Sequence, residues 1–191
     1  MTSSYAFADQ FKRNAPREPA PVLGSVGELW DGPGPHLIDM GTLVRALIDV
    51  VATRAVLQHV KVRLALSDSP VRVIGYATPL ATSVHRLLTN ALDAMPKGGT
   101  LTLRVLLDPY AVFECCDTGP SIPEAQIPDL WRKRRSGGSH GLDLSSAKTT
   151  IESHRGHIWY RRQPGGGRAF IIELPVAGPR GIVVSRATSQ P

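Results

Sequence analysis

Three positions in the sequence have residue types that could act on a ligand, and each also has a purely structural interpretation. Asn90 lies beside the apolar stripe of a predicted helix, where it is either a polar ligand group or a capping or solvent-facing amide. Asp117 ends an apolar strand, and a buried carboxylate there must find a donor, in a ligand or in the turn at Thr118 and Gly119. Gly141 opens a predicted helix, whose first backbone N–H groups can bind phosphate. Residue type and spacing leave both interpretations open.

Composition predicts one domain with tails, since the chain has 191 residues. The net charge of +6 favours polyanionic partners such as nucleotides, nucleic acid or acidic protein surfaces. Without a recognition helix or base-stacking motif, we do not expect nucleic acid to be the partner. Cys115 and Cys116 are neighbours in an apolar run and would point to opposite faces of a strand. We therefore expect two core thiols rather than a disulfide, a redox pair or a metal site.

Nothing in the sequence predicts membrane insertion. No apolar run reaches the roughly 18 residues that span a bilayer, and the first residues lack the basic-then-apolar order of a signal peptide. We expect a soluble, cytoplasmic protein.

Apolar periodicity divides the chain into a Pro- and Gly-rich tail (1–36), a domain (37–176) and a second tail (177–191), in which GIVVS could add an edge strand. Within the domain the predicted order is helix, two strands, helix, two strands, a long loop, helix and two strands. Thr42 is the predicted cap of the first helix, and the loop from Thr118 to His140 is long enough for a lid. This order predicts a mixed sheet with helices on one face, a two-layer α/β sandwich.

Three segments, in order, resemble the ATP-binding domain of sensor histidine kinases of the GHKL superfamily. HRLLTNALDAMPKGGTLTL resembles the N-box helix and the strand after it, and CCDTGPSIP resembles the first glycine box. The segment from GSHGLDL to FIIELP resembles the second glycine box, its helix and the closing hairpin. The resemblance implies a Bergerat-type sandwich that binds ATP and Mg²⁺.

The family pattern assigns roles to individual residues. Asn90 matches the asparagine that holds Mg²⁺, and Asp117 matches the carboxylate that accepts a hydrogen bond from the adenine amino group. The remaining matches would line or approach the nucleotide: Asp93, Gly119, Ile122, Gly141 and Leu142. The basic segment 131–135 would lie in the lid, where it either meets phosphates or is simply solvated.

Four positions depart from that pattern. Ser121 and Ser139 stand where the glycine boxes usually have glycine, and Arg86 replaces the usual Asn, Glu or His four residues before Asn90. Asp143 also replaces a glycine, and a carboxylate near a helix start would repel the triphosphate. These departures predict a degenerate version of the family pattern, with most of them at the expected phosphate end.

The chain also lacks the pattern of a phosphoacceptor hairpin, which needs on the order of 50 residues at about 1.5 Å per helical residue. The six histidines are scattered, and His154 and His157, which flank Gly156, are expected to serve the structure. If active, the domain would act in trans on a histidine-bearing phosphotransfer protein or signal to a response regulator. The alternatives are a degenerate regulatory module with weak or no ATP binding, and an anti-sigma-type serine kinase.

Overall fold

The structure, a computed structural model, describes residues 34–132, 144–177 and 183–184. The strands are β1 His36–Asp39, β2 Val60–Leu66, β3 Arg72–Gly75, β4 Gly99–Asp108, β5 Tyr110–Asp117, β6 His157–Arg162, β7 Arg168–Leu174, β8 Val176–Ala177 and β9 Val183–Val184. The helices are α1 Met40–Leu57, α2 Ala77–Asp93 and α3 Ser145–Ser153, with a 3-10 helix at Glu124–Trp131.

A five-stranded mixed sheet forms the main layer, in the order β2-β4-β5-β7-β6. β2 pairs with β4 in parallel and the other pairs are antiparallel. The inward side chains of the central strands and the apolar faces of the helices form one large core, which includes Leu47, Leu87, Leu103, Phe113, Ile151 and Phe170. On the opposite face, the described residues form a smaller apolar cluster around Cys116 and Ile171. The predicted two-layer sandwich, with helices on one face, is confirmed.

A second, smaller sheet was not predicted. It is antiparallel in the order β1-β3-β8-β9 and joins the start of the described chain to its end. The strand expected within GIVVS is present as β9, whose Val183 pairs with Ala177. Strands β1 and β8 were not predicted, because each is too short to show the alternation of apolar and polar residues that indicates a strand.

Helix α1 begins earlier than predicted, and its cap is Asp39 rather than Thr42. The Asp39 carboxylate accepts hydrogen bonds from the Thr42 N–H at 2.8 Å and from the Thr42 hydroxyl at 2.9 Å. An aspartate satisfies the free N–H groups of a first turn at least as well as threonine does, so the helix starts where Asp39 can cap it. Within the described residues, no helix combines the length and the apolar character needed to cross a bilayer.

Helix α2 has the predicted amphipathic face, since Leu80, Val84, Leu87 and Leu88 are fully buried. The histidine expected to serve the structure at the end of α3 does so. His154 Nε2 accepts a hydrogen bond from the Tyr76 backbone N–H, just before α2, at 2.9 Å.

The segment after β5 is more ordered than the predicted loop, because a 3-10 helix occupies Glu124–Trp131 and buries Leu130. Helix α3 begins at Ser145 and not, as predicted, at Gly141. Leu144, the residue before it, does not have helical backbone angles. Ser139, Gly141, Leu142 and Asp143 lie outside the described residues, as do Lys133, Arg134 and Arg135 of the basic segment.

Candidate functional site

Asp117 lies at the end of β5, on the face of the sheet that the helices cover. Because strand side chains alternate, it shares that face with Phe113 and Cys115, which are both buried. Its own side chain has 0% exposure. The main chain of Asp117 is level with Leu101 on β4 and with Arg168 on β7.

The buried partner of Asp117 is Arg168, a residue that the sequence analysis missed. Arg168 Nε donates to both carboxylate oxygens, at 3.1 and 3.0 Å, and the side chain of Arg168 is 6% exposed. Its Nη2 donates to the main-chain oxygen of Asn90 at 2.9 Å. One guanidinium therefore links the end of β5 to the last turn of α2.

A second donor also bonds this carboxylate. The Gly119 backbone N–H donates to Asp117 Oδ1 at 2.9 Å, which confirms the turn-cap interpretation for Gly119. Thr118 takes another role, since its hydroxyl accepts from the Thr100 N–H. Burial raises the pKa of the Asp117 carboxyl, and the bonds from Arg168 and Gly119 oppose that rise.

Asn90 lies in the last turn of α2, and its main-chain oxygen accepts the hydrogen bond from Arg168. Its Nδ2 is buried without a hydrogen-bond partner among the described residues. Leaving such a group unpaired costs about 1–3 kcal/mol. The unpaired Nδ2 is an N–H donor, so it could bond an acceptor such as a phosphate oxygen. The expected contact with Mg²⁺ would use the other amide atom, Oδ1, and stays a prediction.

Close packing explains the glycine at position 119. A β-carbon there would lie 2.8 Å from Ala94 Cβ and 2.8 Å from Asp117 Oδ1. The next positions bind the β6–β7 hairpin: Ser121 Oγ donates to the Gly167 oxygen at 3.2 Å, and the Ile122 N–H donates to Tyr160 Oη at 3.3 Å. Ser121, where the family pattern has glycine, thus anchors this segment.

Ile122 and Asp93 differ in their surroundings. Ile122 is 5% exposed and belongs to the main core, so its expected place on the wall of an adenine pocket stays a prediction. Asp93 is paired with Arg54 of α1, and both side chains are about half exposed. That ion pair ties α1 to α2, and a nucleotide contact by Asp93 also stays a prediction.

Arg86 bridges α2 and α3 at the expected phosphate end. Its Nη1 donates to Ser146 Oγ at 2.7 Å. Both residues help to line a cavity of about 230 Å³, whose other walls include Thr82, Ser83 and Thr150. On the same helix, burial lowers the pKa of His85.

Comparison with known proteins identifies this arrangement. Residues 75–178, more than half of the chain, match the family described as histidine kinase-, DNA gyrase B- and HSP90-like ATPases. This chain belongs to that family. The matched segment begins just before α2 and ends after β8, so it contains Asn90, Asp117 and Arg168. The chain is accordingly a histidine-kinase-like ATP-binding catalytic domain of the GHKL type.

Individual relatives agree with this assignment. The sensor histidine kinase TmoS of Ectopseudomonas mendocina is 29% identical in an alignment of 169 residues, and the match covers 83% of this chain and 17% of TmoS. The mycobacterial sensor histidine kinase MprB is 26% identical, with a TM-score of 0.65 over 74% of this chain and 97% of that structure.

The catalytic domain of the histidine kinase ThkA has the same fold. It is 20% identical, with a TM-score of 0.69 over 75% of this chain and 98% of that structure. ThkA has also been solved in complex with the response regulator protein TrrA, and that structure gives a TM-score of 0.65 at 21% identity over 74% of this chain and 41% of that structure.

The residues present fit the two parts of Mg-ATP unequally. Asn90 offers a side-chain amide, and Mg²⁺ is commonly bound through one or two protein oxygens together with phosphates and water. No group of three or more His, Cys, Asp or Glu side chains in the described ranges is placed to hold a metal. Asp117 does not fit adenine as it stands, because Arg168 and Gly119 already bond its carboxylate, which has no exposed surface.

A sequence signal for Arg168 did exist. Arg168 starts the largely apolar strand RAFIIEL, and Asp117 ends the largely apolar strand YAVFECCD; each strand has one other charged residue, Glu173 and Glu114. A charged side chain on a buried strand needs a partner of opposite charge. Asp117 is the last residue of β5 and Arg168 is the first residue of β7, and each of these strands follows a short turn. Pairing β5 with β7 in antiparallel register would have placed them opposite each other.

Proposed function

We propose that this chain binds ATP as part of a two-component signalling protein and phosphorylates a histidine on a separate partner. The membership of residues 75–178 in the ATPase family supports the proposal. The observation that carries it is the buried Nδ2 of Asn90, an N–H donor without a partner among the described residues, in the last turn of the helix whose sequence resembles the N-box.

Titration of Mg-ATP into the full chain by calorimetry tests the binding step. We expect heat of binding that depends on Mg²⁺ and that is lost in the Asn90→Ala variant. Thr89→Ala is a matched control, since Thr89 is the neighbour of Asn90 and its hydroxyl donates to the Arg86 main-chain oxygen, within the same helix, at 3.0 Å. The absence of heat at millimolar nucleotide would remove the proposal.

The partner is proposed to be a histidine-bearing phosphotransfer protein or a response regulator. The solved complex of ThkA with the response regulator protein TrrA supports this class of partner. The chain spans 17% of TmoS, so the activity and partners of such whole kinases come to this chain as proposals only. Incubation with labelled ATP and a purified histidine-containing hairpin would detect transfer of the label to the hairpin. If the hairpin stays unlabelled while a control kinase becomes labelled under the same conditions, the result contradicts transfer.

The ion pair between Arg168 and Asp117 favours a second candidate, a regulatory module with weak or absent ATP binding. The Asp117 carboxylate has no exposed surface. At the expected phosphate end, Arg86 is a permanent cation where the family pattern has Asn, Glu or His. This candidate predicts no thermal stabilisation by Mg-ATP, together with retained binding to a kinase or response regulator. A clear rise of the melting temperature with Mg-ATP would exclude it.

A further inference from the structure

We infer that Arg168 occupies the hydrogen-bonding position on Asp117 that a purine amino group would need, so that displacement of this side chain decides whether the site accepts an adenine nucleotide. The inference rests on the proposed nucleotide site, and it assigns a specificity-determining role to a residue outside the glycine boxes.

The first argument is the chemistry of the contact. An amino group on a purine would donate an N–H to a carboxylate oxygen, at about 2.7–3.2 Å. The Arg168 Nε–H makes such a donation, to both oxygens of Asp117, while the Gly119 N–H takes a further lone pair of Oδ1. The guanidinium is thus an internal substitute for the ligand, because it offers the same kind of donor to the same acceptor.

The second argument is burial. The Asp117 side chain has 0% exposure and the Arg168 side chain has 6%. A nucleotide cannot add to this contact from solvent, and must replace one of its members. Since Asp117 is the acceptor and is held in place by Gly119, the member that has to leave is the Arg168 side chain.

The third argument is the second contact of Arg168. Its Nη2 bonds the main-chain oxygen of Asn90, whose own side-chain amide is buried and unpaired. The guanidinium therefore touches both the residue expected at the adenine and the residue expected at Mg²⁺. Its departure would free the last turn of α2 and the Asp117 carboxylate in a single movement.

If Arg168 must leave before ATP binds, only molecules with Arg168 displaced can bind. The apparent dissociation constant for ATP is then the intrinsic constant divided by the fraction of such open molecules. A site that is open in about 1% of molecules binds about 100-fold more weakly than the same site held open. Replacement of Arg168 by a small residue should recover part of this factor.

The test compares two arginine-to-threonine variants of the full chain. Arg168→Thr removes the guanidinium and leaves a hydroxyl beside Asp117 on a residue that suits a strand. Arg161→Thr is the control: Arg161 lies on the neighbouring strand β6, is 53% exposed and pairs with Glu114 on the sheet. Both variants lose one positive charge, but only the first frees Asp117.

Mg-ATP and Mg-ITP are titrated into each protein, because inosine carries an oxygen where adenine carries the amino group. We expect Arg168→Thr to bind ATP at least about tenfold more tightly than wild type, as for a site relieved of a competing closed state. We also expect it to prefer ATP to ITP, and Arg161→Thr to show neither change.

The other outcomes separate this inference from the proposed function. Equal ATP binding by wild type and Arg168→Thr overturns the inference and leaves the proposed function intact. Absence of binding in both overturns the inference and also counts against nucleotide binding.

If Arg168→Thr does not fold, the Nε–H resonance of Arg168 is followed by NMR in the wild-type protein. A resonance that shifts as ATP binds supports the inference, and a failure of ATP to bind counts against both the inference and the proposed function. ATP that binds and leaves the resonance unchanged overturns it.

Discussion

A β-carbon placed on Gly167 would lie 2.4 Å from the main-chain oxygen of Asp117. Gly167 precedes Arg168 and has a φ of 91°, a conformation that other residues rarely adopt. Because Gly167 has no side chain, the β6–β7 hairpin can approach β5 closely enough for Arg168 to contact the Asp117 carboxylate. The turn glycine and the buried ion pair are therefore parts of one local arrangement.

We expect Gly167→Ala to destabilise the domain more than Gly165→Ala does. Both positions have positive φ, which costs an L-residue about 1–2 kcal/mol, but a β-carbon on Gly165 meets nothing within 4 Å. Overpacking against Asp117 should add about 1–3 kcal/mol at Gly167. Urea unfolding, followed by tryptophan fluorescence, measures both losses, and equal losses would show that the contact with Asp117 is unimportant.

We expect Asp117→Asn and Arg168→Met each to lower the free energy of unfolding by about 3–5 kcal/mol, because each leaves an uncompensated buried charge. The double variant should lose much less than the two single losses added together. The four proteins form a cycle that is measured by urea unfolding. An additive result would mean that the two side chains do not stabilise each other. The exposed pair of Arg132 and Asp129 serves as a control, where the coupling should be at most about 1 kcal/mol.

Asn90→Leu is expected to leave stability unchanged, or to raise it by up to about 1 kcal/mol, because the buried Nδ2 has no partner among the described residues and its removal ends that cost. The same variant should lose the Mg²⁺-dependent heat of ATP binding, as expected for Asn90→Ala. Chemical denaturation and calorimetry with and without Mg²⁺ measure the two effects. A loss of stability as large as that of a core substitution would mean that Asn90 is a structural residue.

The elements that were predicted correctly from sequence are those with a long, regular pattern. The face of α2, with Leu80, Val84 and Leu87 at helical spacing, is fixed by burial alone and was foreseen. The β4–β5 hairpin was foreseen because both strands are long and end at a turn around Pro109. Asp117 was located because it closes an apolar run.

What could not be foreseen depends on contacts between distant parts of the chain. Arg168 and Asp117 are 51 positions apart, and only the pairing of β5 with β7 brings them together. The short strands β1 and β8 depend on the same kind of long-range pairing. Family resemblance assigned adenine to Asp117, but it contained no information about a residue that the family pattern does not include.

The two adjacent cysteines should differ in reactivity, because they lie on opposite faces of the sheet. Cys115 is 0% exposed in the main core and its thiol lies 3.8 Å from the Leu87 oxygen, whereas Cys116 is 8% exposed on the other face, near Gln163. Burial raises the pKa of both thiols, that of Cys115 far more. In native protein, a thiol reagent should modify Cys116 slowly and Cys115 only on unfolding. The Cys115→Ser and Cys116→Ser variants identify which thiol reacts, and modification of Cys115 at the rate of Cys116 would contradict the burial argument.

The same pKa shifts make stability depend on alkaline pH. Because the folded pKa values lie above those of the unfolded chain, the folded protein keeps its thiol protons while the unfolded chain releases them. The free energy of unfolding is therefore unaffected by the thiols below the unfolded pKa of about 8.5, and it falls as the pH rises above that value. The decline is at most about 1.4 kcal/mol per pH unit for each thiol. Urea unfolding from pH 7 to 10 should show a steeper loss in wild type than in a Cys115→Ala, Cys116→Ala double variant, which has no thiol to titrate. Parallel curves for the two proteins would mean that the thiols do not contribute to the alkaline loss of stability.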